Sequence, residues 1–161
     1  MTVSGKHRER TSLIAGLSLS PITHQPGLYF QSLVNTYFNS AAVAAFVRDL
    51  LRHLRGRVIL VWDNGSNHKG EPIQQLLRAY PRLTIERLPP YAPDLNPVEQ
   101  LWQHVKVGHL ANYAAPDIRT LDAKALDFLA TAKRNRQRLH SCFKNTPLYK
   151  ALSGHGIPGS Q

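Results

Sequence analysis

The chain has 161 residues, the length of one ordinary domain and enough to bury a core. Twenty Lys and Arg stand against ten Asp and Glu, a formal charge of +10 with a pI near 10.2. That balance points to a polyanionic partner, nucleic acid foremost, with membrane surfaces and acidic proteins as the other partners of basic chains. Cys142 stands alone, which excludes an intrachain disulfide and fits a reducing compartment. No apolar run reaches the length of a membrane span, and "MTVSGKHRER" lacks the apolar stretch of a signal peptide. A soluble, cytoplasmic protein with no membrane partner is expected.

In chain order, "TSLIAGLSLS" (11–20) predicts a strand closed by Pro21, and "GLYFQSLV" (27–34) predicts a second, the two forming a hairpin. "NSAAVAAFVRDLLRHLRG" follows as a helix, with Asn39 or Ser40 as N-cap and Gly56 as its stop. Its apolar positions Val43, Phe46, Val47, Leu50, Leu51 and Leu54 recur at helical spacing. Residues 57–62 predict the next strand. Val58 to Trp62 are all apolar, the pattern of a strand buried on both faces. "EPIQQLLRAY" predicts a short helix with Pro72 in its first turn.

"RLTIERLP" predicts a further strand stopped by Pro89 and Pro90. The loop "LPPYAPDLNP" carries four prolines in ten residues, which holds it stiff and extended. "NPVEQLWQHVKVGHL" is a helix with Asn96 as N-cap and Pro97 at its first position, and a last helix spans Leu121 to His140 before the frayed tail "GHGIPGSQ". This order of elements is that of an α/β fold with a mixed sheet.

Two acids stand out. Asp63 follows Trp62 directly, at the C-terminal tip of a strand, where α/β sheets present their chemistry. The plainer reading is that Asp63 opens a turn with Asn64 and Gly65. Glu99 has a plainer reading too, since Asn96-x-x-Glu99 is close to a capping box. Yet one acid closes a strand and the other opens a helix delivered by a stiffened loop, so both can converge at one end of the sheet. Carboxylates gathered in that way suit hard, oxygen-loving cations such as magnesium.

"VWDNGSNHKG", "LPPYAPDLNPVEQLW" and the Lys106 that follows closely resemble the catalytic domain of mariner-type DDE transposases of the bacterial insertion-sequence branch. The resemblance runs from about Lys6 to Phe143, and its proline-rich segment is more specific than either acid. The 35 residues at positions 64–98, between Asp63 and Glu99, are similar to that family's spacing of second and third acids. The resemblance implies an RNase H-like domain over residues 1–143 with a tail over 144–161. It also implies a site of two Mg²⁺ or Mn²⁺ ions, and DNA strand cleavage and joining. By it Asp63 and Glu99 are catalytic metal ligands. Asn64 and His68 belong to the matched motif, and His68 either meets a scissile phosphate, steadies the metal shell, or is a loop histidine bonded to backbone. Asp94 is expected as a turn or cap residue, Asn96 as a cap, and Trp102 as core. Lys106, at i+7 from Glu99 on the same helix face, is either a phosphate contact or a solvated lysine.

The family's first acid has no match. Its strand precedes the segment resembling "GKHRERTSLIAGLSLS", and the only acids before the third predicted strand are Glu9 and the helical Asp49. In an RNase H-like sheet that strand is central, so its loss leaves strand edges unpaired and a metal pair short of ligands. The chain alone is therefore expected to be inactive, whether as a frameshift product, an insertion-sequence remnant, or a reading begun at an internal Met1.

The stretch "KRNRQRLHSCFKNTPLYK" carries Lys133, Arg134, Arg136, Arg138, Lys144 and Lys150 and no acid, and "GKHRER" adds Lys6, Arg8 and Arg10. Such clusters neutralise phosphates, and Arg134 and Arg138 are expected DNA contacts. Each residue alone also fits a solvated helix face. No helix-turn-helix reader is evident, so recognition of element ends is expected upstream. Partners beyond DNA are a second copy or an upstream transposase half. The rival reading is a catalytically dead fragment that binds DNA or oligomerises.

Overall fold

The structure, a computed structural model, describes residues 1–4, 9–90, 92–106, 114–144, 146, 147 and 149. Its strands are β1 (Thr2–Ser4), β2 (Arg10–Leu19), β3 (Pro26–Val34), β4 (Val58–Trp62) and β5 (Leu83–Arg87). Its helices are α1 (Ser40–His53), α2 (Glu71–Ala79), α3 (Pro97–Val105), α4 (Ile118–Arg134) and α5 (Arg136–Lys144). The α/β class is as expected. The strands form two ladders, an antiparallel sheet β1-β2-β3 and a parallel pair β4-β5, and no described strand joins them into the single mixed sheet expected. The chain divides into two compact units, residues 1–34 with 93–161, and residues 35–92.

In the first unit, β2 and β3 form the predicted hairpin, in register from Thr11↔Val34 to Leu19↔Pro26. Period-two alternation puts Thr11, Leu13, Ala15 and Leu17 on one face with their partners Val34, Ser32, Phe30 and Leu28. Helices α3, α4 and α5 close that face. Leu101, Trp102, Val105, Phe128, Leu129 and Leu139 pack with Leu13 and Leu28 into one core. The Asp122 carboxylate on α4 accepts hydrogen bonds from the Thr11 hydroxyl and, at 3.0 Å, from the Ser32 hydroxyl, pinning the helix to both strands.

Strand β1, which the sequence did not suggest, pairs antiparallel with β2 at Thr2↔Ser12 through Ser4↔Arg10. Three residues carry too short a pattern for periodicity to detect.

The last helix, expected to be continuous from Leu121 to His140, starts earlier and breaks at Asn135. Asn135 leaves helical geometry at φ −98°, ψ 89°, and its side chain accepts from the Arg138 amide at 3.0 Å. An amide side chain that bonds the backbone ahead of it ends one helix and caps the next.

In the second unit, Asn39 caps α1 by accepting from the Ala42 amide at 2.9 Å. At the other end, the Arg82 guanidinium donates to the Leu51 carbonyl, an acceptor that the helix end leaves open, and at 2.8 Å to the Gly56 carbonyl in the loop beyond it. Gly70, at φ 95° and ψ 179°, precedes α2 in a conformation nearly confined to glycine. Strands β4 and β5 run parallel, in register from Val58↔Leu83 to Trp62↔Arg87.

Burial along β4 corrects the expectation of a strand covered on both faces. Trp62 is buried and Val58 and Leu60 partly so, while Ile59 is 68 % and Val61 37 % exposed. The alternation is that of a sheet covered on one face only.

Candidate functional site

The residues singled out fall into two groups, one in each unit. In the second unit, Asp63 follows the last residue of β4, as expected, and its side chain is 61 % exposed. The turn reading also holds: Asp63 Oδ1 accepts from the Gly65 amide at 2.8 Å. Asn64 spans the mouth of the sheet, donating from its side-chain amide to the Leu88 carbonyl at 2.9 Å. The Leu88 amide in turn donates to the Trp62 carbonyl at 2.8 Å, so the acid's backbone is tied to the end of β5. The turn and the strand tip are one feature, which holds a solvent-facing carboxylate on a fixed backbone.

His68 closes a 3₁₀ turn, Ser66–His68, and folds back on the acid. Its Nδ1 lies 2.8 Å from Asp63 Oδ1 and 3.2 Å from the Asp63 carbonyl oxygen. Its ring stacks on the Trp62 indole, with centroids 4.4 Å apart and planes 5° from parallel. The backbone-bonded alternative is thus realised together with a contact to the candidate ligand.

The sequence did not reveal that Trp62 is the platform for His68, nor that Arg87 donates to the His68 carbonyl at 3.2 Å. An aromatic residue just before the acid was the available signal, but in an apolar strand it reads as core. Trp62 serves as both: its ring is buried, and its Nε1 has no hydrogen-bond partner among the described residues.

In the first unit, Glu99 lies in the first turn of α3, partly buried. Asn96 caps this helix by accepting from the Val98 amide at 3.2 Å, with Pro97 at the first position, as expected. The Asn96 amide donates to the Pro93 carbonyl at 2.9 Å, within a 3₁₀ turn that contains Asp94. Among the described residues no hydrogen bond or ion pair engages the Glu99 carboxylate, so the reciprocal capping-box bond is not what employs it. Trp102 belongs to the core, as expected.

The Met1 ammonium donates to the Leu13 carbonyl at 2.8 Å. Burial lowers its pKa, the negative charge of Glu99 opposes that shift, and Lys106 adds to it. Glu99 is thereby close enough for its charge to act on the Met1 ammonium. Lys106 is exposed at the C-terminal end of α3, and its backbone amide donates to Gln103 and Trp102 carbonyls.

The basic stretch maps to the junction of α4 and α5. Arg134 and Arg136 are exposed there. Lys133 places its ammonium 5.5 Å over the Tyr29 ring, and the Arg138 guanidinium lies 5.5 Å over the Phe128 ring. Both cations are therefore held against aromatic faces by cation–π attraction. Lys6, Arg8 and Lys150 lie outside the described residues.

Among the described residues no three His, Cys, Asp or Glu gather closely enough to hold a metal ion. No described helix is long and apolar enough to cross a membrane. Residues 2–122 match a family model described as DDE superfamily endonuclease, which spans well over half of the chain. No curated protein matches it.

Proposed function

The chain belongs to the DDE superfamily endonuclease family, and from that premise we propose that it is the catalytic domain of a mariner-type insertion-sequence transposase. Family membership makes a transposase-like nuclease acting on DNA the coarse function, in a family that typically uses divalent metals. The finer reading is a bacterial enzyme, cytoplasmic, that cleaves and rejoins strands at the ends of its element. Residues 1–143 form its RNase H-like domain and 144–161 a tail.

The observation that carries this reading is Asp63: a mostly exposed carboxylate at a strand tip, with one oxygen anchored by the Gly65 amide and by His68. Hard carboxylate oxygens are the donor type that Mg²⁺ and Mn²⁺ prefer, and Asp63 and Glu99 each offer them. When bound, a metal pair activates the attacking oxygen and stabilises the leaving one in an in-line displacement. The protein's share is to fix the carboxylates and guide the phosphate backbone. Arg134, Arg136 and Arg138 at the α4–α5 junction, with Lys106 at the end of α3, supply positive charge for that backbone. His68 adds its remaining ring nitrogen.

A third donor must come from elsewhere, since the described residues gather no three-ligand cluster. Strand β4 pairs only with β5 among the described residues. An additional acid-bearing strand against β4 would complete both the sheet and the metal shell. The absence of a three-donor cluster among the described residues equally favours a second reading, a DNA-binding or oligomerising fragment that does not cut.

A divalent-metal cleavage assay on DNA separates the two. It compares this chain with a version that carries an added acidic strand, each with Asp63→Asn and Glu99→Gln controls. Cleavage only by the extended version, abolished by both controls, supports the transposase reading. Cleavage by neither version leaves the binding fragment. Cleavage by the short chain alone means that a third acid lies within it.

A further inference from the structure

The direction of α4 brings the basic α4–α5 junction to the same end of the first sheet as the β2–β3 turn. In its second turn, Asp122 accepts from Thr11 and Ser32, which stand at the open end of the hairpin. Near its C-terminus, the Lys133 ammonium lies over the Tyr29 ring. Tyr29 pairs with Gly16, and the ladder closes at Leu19↔Pro26, about 10 Å further along the strands. The helix therefore runs toward the turn, and Lys133, Arg134 and Arg136 are exposed where it breaks. All these residues belong to one compact unit.

Hydrogen bonds hold the turn at residues 20–25 in a fixed shape. The Ser20 hydroxyl oxygen accepts from the Ile22 amide at 3.3 Å and from the Thr23 amide at 3.1 Å. The His24 amide donates to the Ser20 carbonyl at 2.9 Å, and the Ser20 amide to the Gln25 carbonyl at 3.1 Å. His24 takes a left-handed φ of 53°, which helps to reverse the chain. On this frame Ile22 stands in solvent, 89 % exposed, more than any other large apolar side chain described. A lone exposed isoleucine needs no explanation on an ordinary surface. Here it tops a braced turn without an acid, at the end of the sheet where the cations gather.

We propose that the tip of the β2–β3 hairpin enters a groove of duplex DNA, with Ile22 as an apolar wedge against a base step. Lys133, Arg134 and Arg136 hold the phosphate backbone beside it. The inference rests on DNA being the chain's ligand, which both readings above share. A cationic anchor next to an apolar tip matches a duplex in layout, with phosphates outside and bases within the groove. Apolar side chains inserted between base steps unstack them and kink the helix. Pyrimidine–purine steps open most easily and are the expected point of entry. The fixed turn matters because a wedge ordered beforehand costs less entropy on binding.

The test uses the full chain and an end-labelled, mixed-sequence duplex carrying 2-aminopurine at pyrimidine–purine steps. Fluorescence anisotropy across a salt series reads affinity, and 2-aminopurine emission, which rises on unstacking, reads the wedge. Wild type is compared with Ile22→Ser, Ile22→Leu and the double variant Arg134→Ala/Arg136→Ala. Sedimentation of each free protein reports its oligomeric state.

Wild type should bind with a rise in emission. Ile22→Ser should bind about tenfold more weakly, with the same salt slope and no rise, and Ile22→Leu should restore both. The double arginine variant should lower the salt slope by about two. If Ile22→Ser keeps wild-type affinity or wild-type emission, the wedge is overturned, and a weakened arginine variant in the same series leaves the DNA reading standing. An unchanged salt slope in the arginine variant overturns the anchor and with it the shared surface. A wild type that binds no duplex at low salt overturns this inference and the DNA reading together. If wild type sediments as a dimer and Ile22→Ser as a monomer, the tip serves a second copy and the proposal fails. The Ile22 variants should melt as wild type does, since the side chain is exposed.

Discussion

The two units solve the same problem, covering an apolar strand, to different degrees. In the first, three helices close one face of the β2–β3 hairpin, and Leu101, Leu129 and Leu139 are essentially inaccessible. In the second, β4 is as apolar as any strand in the chain, yet Ile59 and Val61 are left exposed. The difference teaches that an apolar run records what a strand was selected to bury, not what the described residues manage to cover. It also separates the chemistry, since Asp63 sits on the partly covered sheet and Glu99 on a helix of the closed one. Stability should therefore be concentrated in the first unit, and the open strand edge in the second.

The largest effect that would break this picture is catalytic. In an active assembly, Asp63→Asn or Glu99→Gln should each reduce DNA cleavage by more than the roughly 100-fold that losing an outer partner costs. Metal-dependent cleavage kinetics would show it, and an active double variant would remove both acids from the site.

Stability comes next. Leu129→Ala should destabilise by about 2–5 kcal/mol through a cavity in the closed core. By contrast Ile59→Ser should stay within about 0.5 kcal/mol, as exposed positions do. Denaturant melts of both variants check the contrast. A large loss from Ile59→Ser would show that its face is covered after all.

Smaller is the polar pin between α4 and the hairpin. Asp122→Ala leaves the inaccessible Thr11 hydroxyl without its acceptor and should cost about 1–3 kcal/mol, read in the same melts.

The smallest effects are titrations. Asp117 caps α4, accepting from the Thr120 amide at 2.8 Å and from the Thr120 hydroxyl, and these bonds hold its carboxyl below the usual range. A depressed folded value means that the charged cap stabilises above about pH 4 and that this share fades as acid protonates it. The melting-temperature advantage of wild type over Asp117→Asn should therefore be largest at neutral pH and shrink as the pH falls below about 4. Burial pushes the Cys142 thiol up, the Arg138 charge opposing. The thiol should stay protonated and react slowly with a maleimide at neutral pH until denaturant opens the core.

Most elements were legible because each is written in local chemistry. Asn39 and Asn96 announced helix starts, the run Val58–Trp62 announced a strand, and the prolines at positions 89 and 90 closed β5. The α4–α5 break was not, because Asn135 sits inside an unbroken helical pattern and only its cap bond to Arg138 reveals the stop. Strand β1 escaped notice because three residues gain their structure from pairing with β2, not from any period of their own.

The site divides in the same way. The sequence by itself determined the two acids, their spacing, the excess of positive charge and the family signature, since residue type and order along the chain are enough for those. Only the tertiary structure decided that the His68 ring lies flat on Trp62 with Nδ1 on Asp63, that Glu99 is free of its capping-box bond, and that Ile59 faces outward. Stacking, hydrogen-bond partners and burial are relations among atoms brought together by folding, and no pattern along the chain encodes them one residue at a time.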